Sequence, residues 1–452
     1  MTLRSLLYSN HFRLKNDKWL VLYAFMSIFQ PPILPIPLIY LLGAYTLTWL
    51  YLNASNVLDY RLLKESQIVR IYKIFLIYFV YILFFGTIDM ALIEAADTLS
   101  TRIKSINQLV VLSLLQFSFI WYLLIRFNQR QFELKDILMV MISAGLLQGI
   151  FSLSAFIVPQ LRSLYMTFGD PELYNNPFFM SRRGYGFSGT LIDTFGYGMG
   201  LISGYMFFFK WTRRKLLMIV SILLMLFAIA LNARTGFVVI FIALLVKMVT
   251  GKKVSKLLLL SSGVIIVFFM IKSSIPIILE MGMKSDNDTI SWISGSFMYF
   301  LMSSEEAKNL SMDEVGFLDN FIDLPNNYFE LLFGTGHHVY DTQSSMGFRT
   351  DIGYYNLLWE FGLIGGIVLM ALILWFIIKP FFMTTDLLIK RIALFNFLSY
   401  IVVMMKAILL GYNPGVFVNY MIIFSIYYCI YNNKHKNDSQ SIVNNSYTCL
   451  QC

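Results

Sequence analysis

Runs of about 20 apolar residues recur along the whole chain, and they restrict its possible folds more than any other feature. A helix of that length rises about 30 Å, which matches the hydrocarbon thickness of a bilayer. Strands of a membrane β-barrel would alternate apolar and polar residues in segments of about ten, and these runs do not alternate. Charged residues make up only 13% of the chain, against about 25% in soluble proteins. The sequence therefore predicts an all-α polytopic membrane protein.

About twelve membrane spans are predicted. Proline removes a backbone donor and ends a helix, so the Pro31-Pro32 pair and Pro35-Ile-Pro37 predict a tight hairpin between the first two spans. No small-residue cleavage site follows the first apolar run, so we expect a retained first span rather than a signal peptide. The predicted spans lie near 18–34, 36–52, 70–91, 107–125, 136–157, 188–209, 215–231, 234–250, 256–275, 352–378, 391–410 and 414–431.

The positions of the basic residues orient these spans. With the N-terminus inside, 24 of the 35 Lys and Arg residues fall on the inner side, and the others are spread over longer outer loops. The positive-inside rule therefore predicts that both termini are cytoplasmic. The net charge of +9 reflects this topology, so a nucleic-acid partner is not expected.

The same pattern divides the chain into four parts. The predicted parts are a membrane domain over 1–275 with an arginine-containing outer loop at 158–187, a large extracytoplasmic loop over 276–350, a second membrane domain over 351–431, and a disordered cytoplasmic tail over 432–452. The large loop is rich in acidic and aromatic residues, and loops of this length are usually functional. We expect it to form short helices that fold over the outer mouth of the membrane domain.

Three arginines are the strongest candidates for binding an anion. Arg234 lies between two spans in an almost absent outer loop, where a guanidinium is costly unless it meets an anion or water. It is either a ligand for a phosphate-bearing substrate or an interfacial arginine that reaches lipid phosphate. Arg182 and Arg183 precede a glycine-rich loop and suit phosphate or carboxylate, and the alternative is a solvated, lipid-binding pair. Asp193 would orient one of these arginines or act as a base.

Candidate bases follow the large loop. His337 and His338 come after Gly334-Thr-Gly336, and histidine is the natural general base near neutral pH, although the pair is equally compatible with a plain polar surface. Asp341 and Asp351 lie nearby, but two adjacent histidines do not make a metal site, so no metal or other cofactor is expected. Glu360 is either the partner of an arginine or a base.

Tyrosines and glycines around these residues are candidates for contacting the substrate. Asp351 and Tyr355 are four residues apart and therefore share one helix face at the membrane interface. The predicted substrate-binding residues are Gly334, Gly336, Asp341, Asp351, Tyr354 and Tyr355.

Four motifs occur together in this chain. They are Arg183-Gly-Tyr-Gly-Phe-Ser-Gly-Thr190 before a central span, Asn232-Ala-Arg-Thr-Gly236 at the start of a later span, Phe333-Gly-Thr-Gly336 at the end of the large loop, and the stretch from Asp351 to Gly365. In the order of these motifs and in its predicted topology, the chain resembles the O-antigen polymerase/ligase superfamily over nearly all of its length.

That resemblance implies a GT-C-like fold and a metal-independent glycosyltransferase that acts on sugars carried by undecaprenyl pyrophosphate outside the plasma membrane. Arg182 or Arg183 would hold the pyrophosphate together with Arg234, and His337, His338 or Glu360 would be the base. The expected partners are the lipid-linked oligosaccharide, membrane lipid, a chain-length regulator and a flippase.

The preferred activity is that of a Wzy-type O-antigen polymerase in lipopolysaccharide biosynthesis. Such an enzyme moves the growing glycan from undecaprenyl pyrophosphate to a hydroxyl of the next lipid-linked repeat unit. The open alternatives are an O-antigen ligase, a flippase or transporter of the lipid-linked oligosaccharide, and a non-catalytic scaffold.

Overall fold

The computed structural model describes residues 18–31, 38–53, 67–93, 111–158, 160–161, 164–165, 186, 188, 192–209, 215–232, 235–251, 327–335, 353–405, 409 and 413–449. Of these described residues 89% are helical and none forms a strand. The prediction of an all-α fold is therefore confirmed for this part of the chain. The predicted ninth span at 256–275 and most of the large loop lie outside the described residues.

The helices coincide with the apolar runs. Eleven of the twelve predicted spans each match one helix of the described residues, and the additional helix, α9, is short. The helices are α1 Lys18–Phe29, α2 Leu38–Leu52, α3 Ile68–Ile93, α4 Ser113–Gln129, α5 Leu134–Ile157, α6 Ile192–Met206, α7 Lys215–Asn232, α8 Thr235–Val249, α9 Tyr328–Phe333, α10 Gly353–Met383, α11 Leu387–Val403 and α12 Pro414–Cys449.

Four segments of these helices are long and apolar enough to cross a membrane. They are Ile68–Phe85 in α3, the whole of α5, the whole of α10, and Pro414–Asn432 in α12. The helices α1, α2 and α8 and the segment Met218–Asn232 of α7 are also apolar but shorter. Such a set of helices is consistent with an all-α membrane protein.

Helix α6 lies at the centre and packs against α5, α7, α8, α11 and α12. Its close packing depends on glycine, because a Cβ at Gly200 would lie only 2.9 Å from the carbonyl oxygen of Gly236 in α8. Likewise, a Cβ at Gly236 would lie 2.8 Å from the carbonyl oxygen of Gly196. On another face of α6, Gly198 contacts Pro414 of α12. Small residues at such contacts let the backbones of membrane helices touch, so dispersion forces replace the missing hydrophobic effect.

The contacts between helices define two ends of the bundle. Helices α6, α8, α10 and α12 begin at one end, which we call the site end, and α1, α5, α7 and α11 finish there. For example, the Ser188 hydroxyl donates to the Phe29 carbonyl at the end of α1 (3.3 Å), and the Tyr354 N–H at the start of α10 donates to Met404 just after α11 (3.3 Å).

The opposite end, which we call the basic end, carries the cationic side chains. All thirteen Lys and Arg residues of the described part belong to the helix turns or short connections at this end, or to α12 beyond it. Arg391 illustrates the arrangement, because its guanidinium donates to the Thr250 hydroxyl (2.7 Å) where α8 finishes. The others are Lys18, Arg70, Lys73, Arg126, Arg130, Lys135, Lys215, Lys247, Lys379, Lys390, Lys434 and Lys436.

Replacing Gly236 by leucine should destabilise the bundle, because α6 and α8 would have to separate to admit the side chain. Overpacking of a tight core costs about 1–3 kcal/mol, and we expect a cost near the top of that range here. The measurement is the midpoint of thermal aggregation in detergent. Val238→Leu on the same helix is the matched control, because Val238 is 42% exposed and has room for a larger side chain. Equal midpoints for both variants would contradict the proposed role of Gly236.

Candidate functional site

A break in α10 is the most unusual backbone feature at the site end. The sequence predicts one continuous span over 352–378, but Gly362 has φ +66° and ψ 179° and divides α10 into helical parts before and after it. Gly334, directly after α9, adopts φ +82° and ψ 164°. This region of backbone conformation is essentially restricted to glycine. The predicted span is therefore found as α10, with a break at Gly362 that the sequence did not predict.

The two glycines contact each other through their backbones. A Cβ at Gly334 would lie 2.5 Å from the backbone nitrogen of Gly362 and 2.6 Å from the carbonyl oxygen of Glu360. A Cβ at Gly362 would in turn collide with the Gly334 nitrogen and with Leu332. The end of α9 therefore fits into the break of α10 only because neither residue has a side chain. One turn after the break, Gly365 contacts Tyr81 of α3.

The carbonyl groups around the break are hydrogen-bonded by side chains of other elements. The Thr335 N–H and hydroxyl both donate to the Trp359 carbonyl (2.7 and 2.9 Å). The Tyr81 hydroxyl lies within hydrogen-bond distance of the carbonyls of Phe361 (2.9 Å) and Phe333 (3.0 Å). A break in a membrane helix persists only where such groups find partners. As a result, the backbone is fixed on both sides of Glu360.

Two acidic residues are buried beside this glycine contact. Glu330 in α9 is 5% exposed and Glu360 in α10 is 6% exposed. The Glu330 carbonyl accepts from the Gly334 N–H (2.7 Å), and the Glu360 carbonyl faces Gly334, so both residues lie close to the helix break. Buried acidic residues in a membrane helix are costly and mark functional positions. Both predicted roles of Glu360, as the partner of an arginine and as a base, remain predictions.

The predicted substrate-contacting tyrosines lie on the first turn of α10. The Tyr354 hydroxyl donates to the Ile401 carbonyl (2.7 Å), which is one of the carbonyls left without a helical partner at the end of α11. Tyr354 therefore has a structural role at this helix end, and a role in substrate binding stays a prediction. Tyr355 is half-buried beside it.

Three helix N-termini meet at the site end. The first turn of α8 packs against the first two turns of α6 through Gly236, and the first residue of α12, Pro414, packs on Gly198. Asn413 caps α12, because its Oδ1 accepts from the Val416 N–H (2.9 Å). Since the N–H groups of a first turn carry a positive partial charge, the arrangement favours an anion at this end.

Arg234 belongs to the shortest connection at this end. Only Ala233 and Arg234 separate α7 from α8, and the residues on either side, Asn232 and Thr235, are 1% and 8% exposed. The covalent chain therefore attaches Arg234 directly to the buried first turn of α8.

The glycine-rich loop after Arg182 and Arg183 is described at two residues. Gly186 has φ +61°, and a Cβ there would lie 2.5 Å from the Ser152 nitrogen of α5. Two residues later, Ser188 is bonded to the end of α1. These two residues therefore lie against α5 and the end of α1.

Several predicted site residues lie outside the described residues. The nearest described neighbours of these residues are Gly186, Thr235, Thr335 and Gly353, and all four lie at the site end. Described residues of all four sequence motifs therefore lie at one end of the bundle. The predicted residues that are not described are Arg182, Arg183, Arg234, Gly336, His337, His338, Asp341 and Asp351, and Asp193 lies in the first turn of α6.

Sequence reasoning missed Tyr81, Thr335 and Asn413. Asn413 precedes a proline at a helix start, which is a recognisable capping signal. Thr335 stands inside a motif that the sequence singled out for its glycines. Tyr81 is one of many aromatic residues in α3, and no local pattern distinguishes it.

Comparison with known proteins finds no protein-family model, no curated protein and no solved structure that matches this chain. In the described part of the chain, no group of three or more His, Cys, Asp and Glu side chains could hold a metal ion.

Gly362→Ala should displace α9 from α10, because alanine is strained at this φ and its Cβ collides with Gly334. The strain alone costs about 1–3 kcal/mol. Faster cleavage near residues 327–335 in limited proteolysis would report the displacement. Gly366→Ala is the matched control, because a Cβ there meets only an ordinary contact at 3.4 Å. Equal cleavage of the two variants would contradict the role of Gly362.

Tyr81→Phe should loosen the same junction while keeping the aromatic ring. Loss of the hydroxyl leaves buried carbonyls of Phe361 and Phe333 without this donor, which costs about 1–3 kcal/mol. Hydrogen–deuterium exchange should then increase in residues 353–366 relative to the wild type. Tyr51→Phe provides the control, since Tyr51 is 80% exposed. An unchanged exchange rate in Tyr81→Phe would refute the assignment.

Proposed function

We propose that this protein is a metal-independent, GT-C-like glycosyltransferase of the O-antigen polymerase type. It would transfer a growing glycan from undecaprenyl pyrophosphate to a hydroxyl of the next lipid-linked repeat unit. The observation that carries this proposal is the meeting of three helix N-termini at the site end, where the chain also attaches Arg234. Together these groups would provide positive charge for a pyrophosphate.

The distribution of Lys and Arg residues supports an orientation of the site end relative to the membrane. The described Lys and Arg residues gather at the basic end, which is the distribution that cytoplasmic ends of membrane helices have. In the proposed topology of twelve spans with both termini in the cytoplasm, the site end would face outward from the bacterial inner membrane. Lipid-linked repeat units would reach it there after a flippase has moved them.

The proposed reaction breaks one bond and forms another at the anomeric carbon of the growing glycan. The acceptor oxygen attacks this carbon, and the bond between the carbon and the pyrophosphate oxygen breaks, so that undecaprenyl pyrophosphate leaves. Negative charge grows on the departing oxygen. Arg234, with Arg182 or Arg183, would stabilise it by forked hydrogen bonds, and the N-terminal turns of α6, α8 and α12 would add their partial charges.

The proton of the acceptor hydroxyl needs a base. His337, His338 and Glu360 are the proposed candidates, and the fixed backbone around Glu360 suits such a role, because a base must be held within hydrogen-bond reach. Gly334, Gly336, Asp341, Asp351, Tyr354 and Tyr355 would contact the sugars. The loop over 276–350 would cover them, and a chain-length regulator would act from outside.

A carrier for the same lipid-linked oligosaccharide is the second candidate. The break of α10 at Gly362 favours it, because transporters often bind their substrates at interrupted helices. A ligase that joins the finished glycan to lipid A core would use the same leaving group and the same arginines.

Arg234→Ala and Arg183→Ala should each abolish polymer formation. Removing one group that stabilises transition-state charge lowers a rate by about 10²–10³-fold. The measurement is the ladder of surface glycan on a gel from a deletion strain that carries each variant, with the amount of membrane protein determined in parallel. Lys135→Ala, at an exposed position of the basic end, is the control and should restore full ladders. Normal ladders in both arginine variants would refute the proposal.

The deletion strain itself separates the candidates. Single repeat units that reach the surface would support the polymerase. Repeat units confined to the inner leaflet would indicate the flippase, and complete polymer that is not attached to lipid A core would indicate the ligase.

A further inference from the structure

The polarity of the buried face of α11 changes along the helix. Near the basic end it is apolar, with Ile389, Ile392 and Ala393. Toward the site end it presents Asn396 and Ser399, each 0% exposed, on the same helical stripe. A polar stripe inside an apolar helix bundle requires polar partners.

The partners come from α6 and α12. The Tyr205 hydroxyl of α6 donates to Asn396 Oδ1 (2.9 Å), and Asn419 Nδ2 of α12 donates to the Tyr197 hydroxyl (2.9 Å). Tyr197 also lies close to Tyr205 and to Tyr420 of α12. We call these six residues, Tyr197, Tyr205, Asn396, Ser399, Asn419 and Tyr420, the polar seam.

The hydrogen bonds of the polar seam are incomplete. Asn396 Nδ2, Ser399 Oγ, Asn419 Oδ1 and the Tyr420 hydroxyl are buried and have no hydrogen-bond partner in the described part of the chain. A buried polar atom without a partner is costly. A rotation of either amide keeps its bond, because a tyrosine hydroxyl both donates and accepts, so each Asn leaves one amide atom, a donor or an acceptor, without a partner.

The chemistry of these four groups indicates which small ligand would satisfy them. An amide nitrogen only donates, an amide oxygen only accepts, and the hydroxyls of Ser399 and Tyr420 do both. Water is the small ligand that both donates and accepts, and internal waters with two to four polar partners are regular parts of protein interiors.

We propose that α6, α11 and α12 enclose an internal water site in the polar seam. The site lies below the site end, since the Tyr400 hydroxyl next to Ser399 donates to the Leu409 carbonyl (2.9 Å) in the connection from α11 to α12. The proposal concerns the packing of the bundle and is independent of the proposed glycosyltransferase activity.

Radiolytic footprinting of the full-length protein in nanodiscs tests this proposal. X-rays convert bound water to hydroxyl radicals, which oxidise adjacent side chains, and mass spectrometry measures the rate at each tyrosine. Tyr197 and Tyr420 should be oxidised several-fold faster than Tyr23, although all three are no more than 1% exposed. Tyr23 is the internal control, because its hydroxyl is bonded to Thr46 (2.6 Å). Equal rates at the three tyrosines would overturn the proposal.

Two substitutions localise the water. Asn419→Leu and Ser399→Ala should each reduce the oxidation of Tyr197 and Tyr420 without changing that of Tyr23. If Asn419→Leu does not fold, the milder Ser399→Ala variant and the wild-type comparison still decide the question. Unchanged oxidation of Tyr197 and Tyr420 in a folded Ser399→Ala variant would place the water elsewhere and refute the assignment to this seam.

Discussion

Backbone contact through the glycines of α6 is the interaction on which the rest of the bundle depends. Gly196 and Gly200 let α8 approach until its Gly236 touches the α6 backbone, and Gly198 does the same for Pro414 of α12. In a bilayer the apolar surface of a helix gains little by leaving lipid, so close packing must hold the helices together. Because the contacts join the first turns of α8 and α12 to the N-terminal half of α6, they also determine that three N-termini meet at one end.

The junction of α9 and α10 also depends on glycine, but its energetic cost is different. Two glycines again allow backbones to touch, but here they interrupt a helix and release carbonyl groups in an apolar surrounding. Thr335 and Tyr81 bind those carbonyls, and each comes from a different element. The break is therefore stable only when α3, α9 and α10 are packed together. As a result, the position of Glu360 depends on the tertiary structure.

Sequence and structure agree where a property is local. Apolar runs determine helices, so eleven predicted spans were found as helices, and Glu360 was recognised as an unusual acid in an apolar segment. The break at Gly362 was not predicted, because glycine is common in membrane helices and only contact with Gly334, distant in sequence, identifies this one. Tyr81 was missed for the same reason, since its role comes from contacts with residues about 250 to 280 positions away. Arg182, Arg183, Arg234, His337 and His338 remain predictions from sequence.

The site end combines two electrostatic environments that the proposed reaction would use separately. The first turns of α6, α8 and α12 carry positive partial charge, whereas the first part of α10 finishes at the break with its negative end and holds the buried Glu360. In the proposed reaction, the first environment would stabilise the leaving pyrophosphate, and the second would favour the transfer of a proton to a base at Glu360. In the proposed reaction, the sugar would lie between them, with the acceptor hydroxyl on the α10 side and the pyrophosphate on the α8 side. Attack opposite the leaving group would invert the anomeric carbon in this proposed reaction.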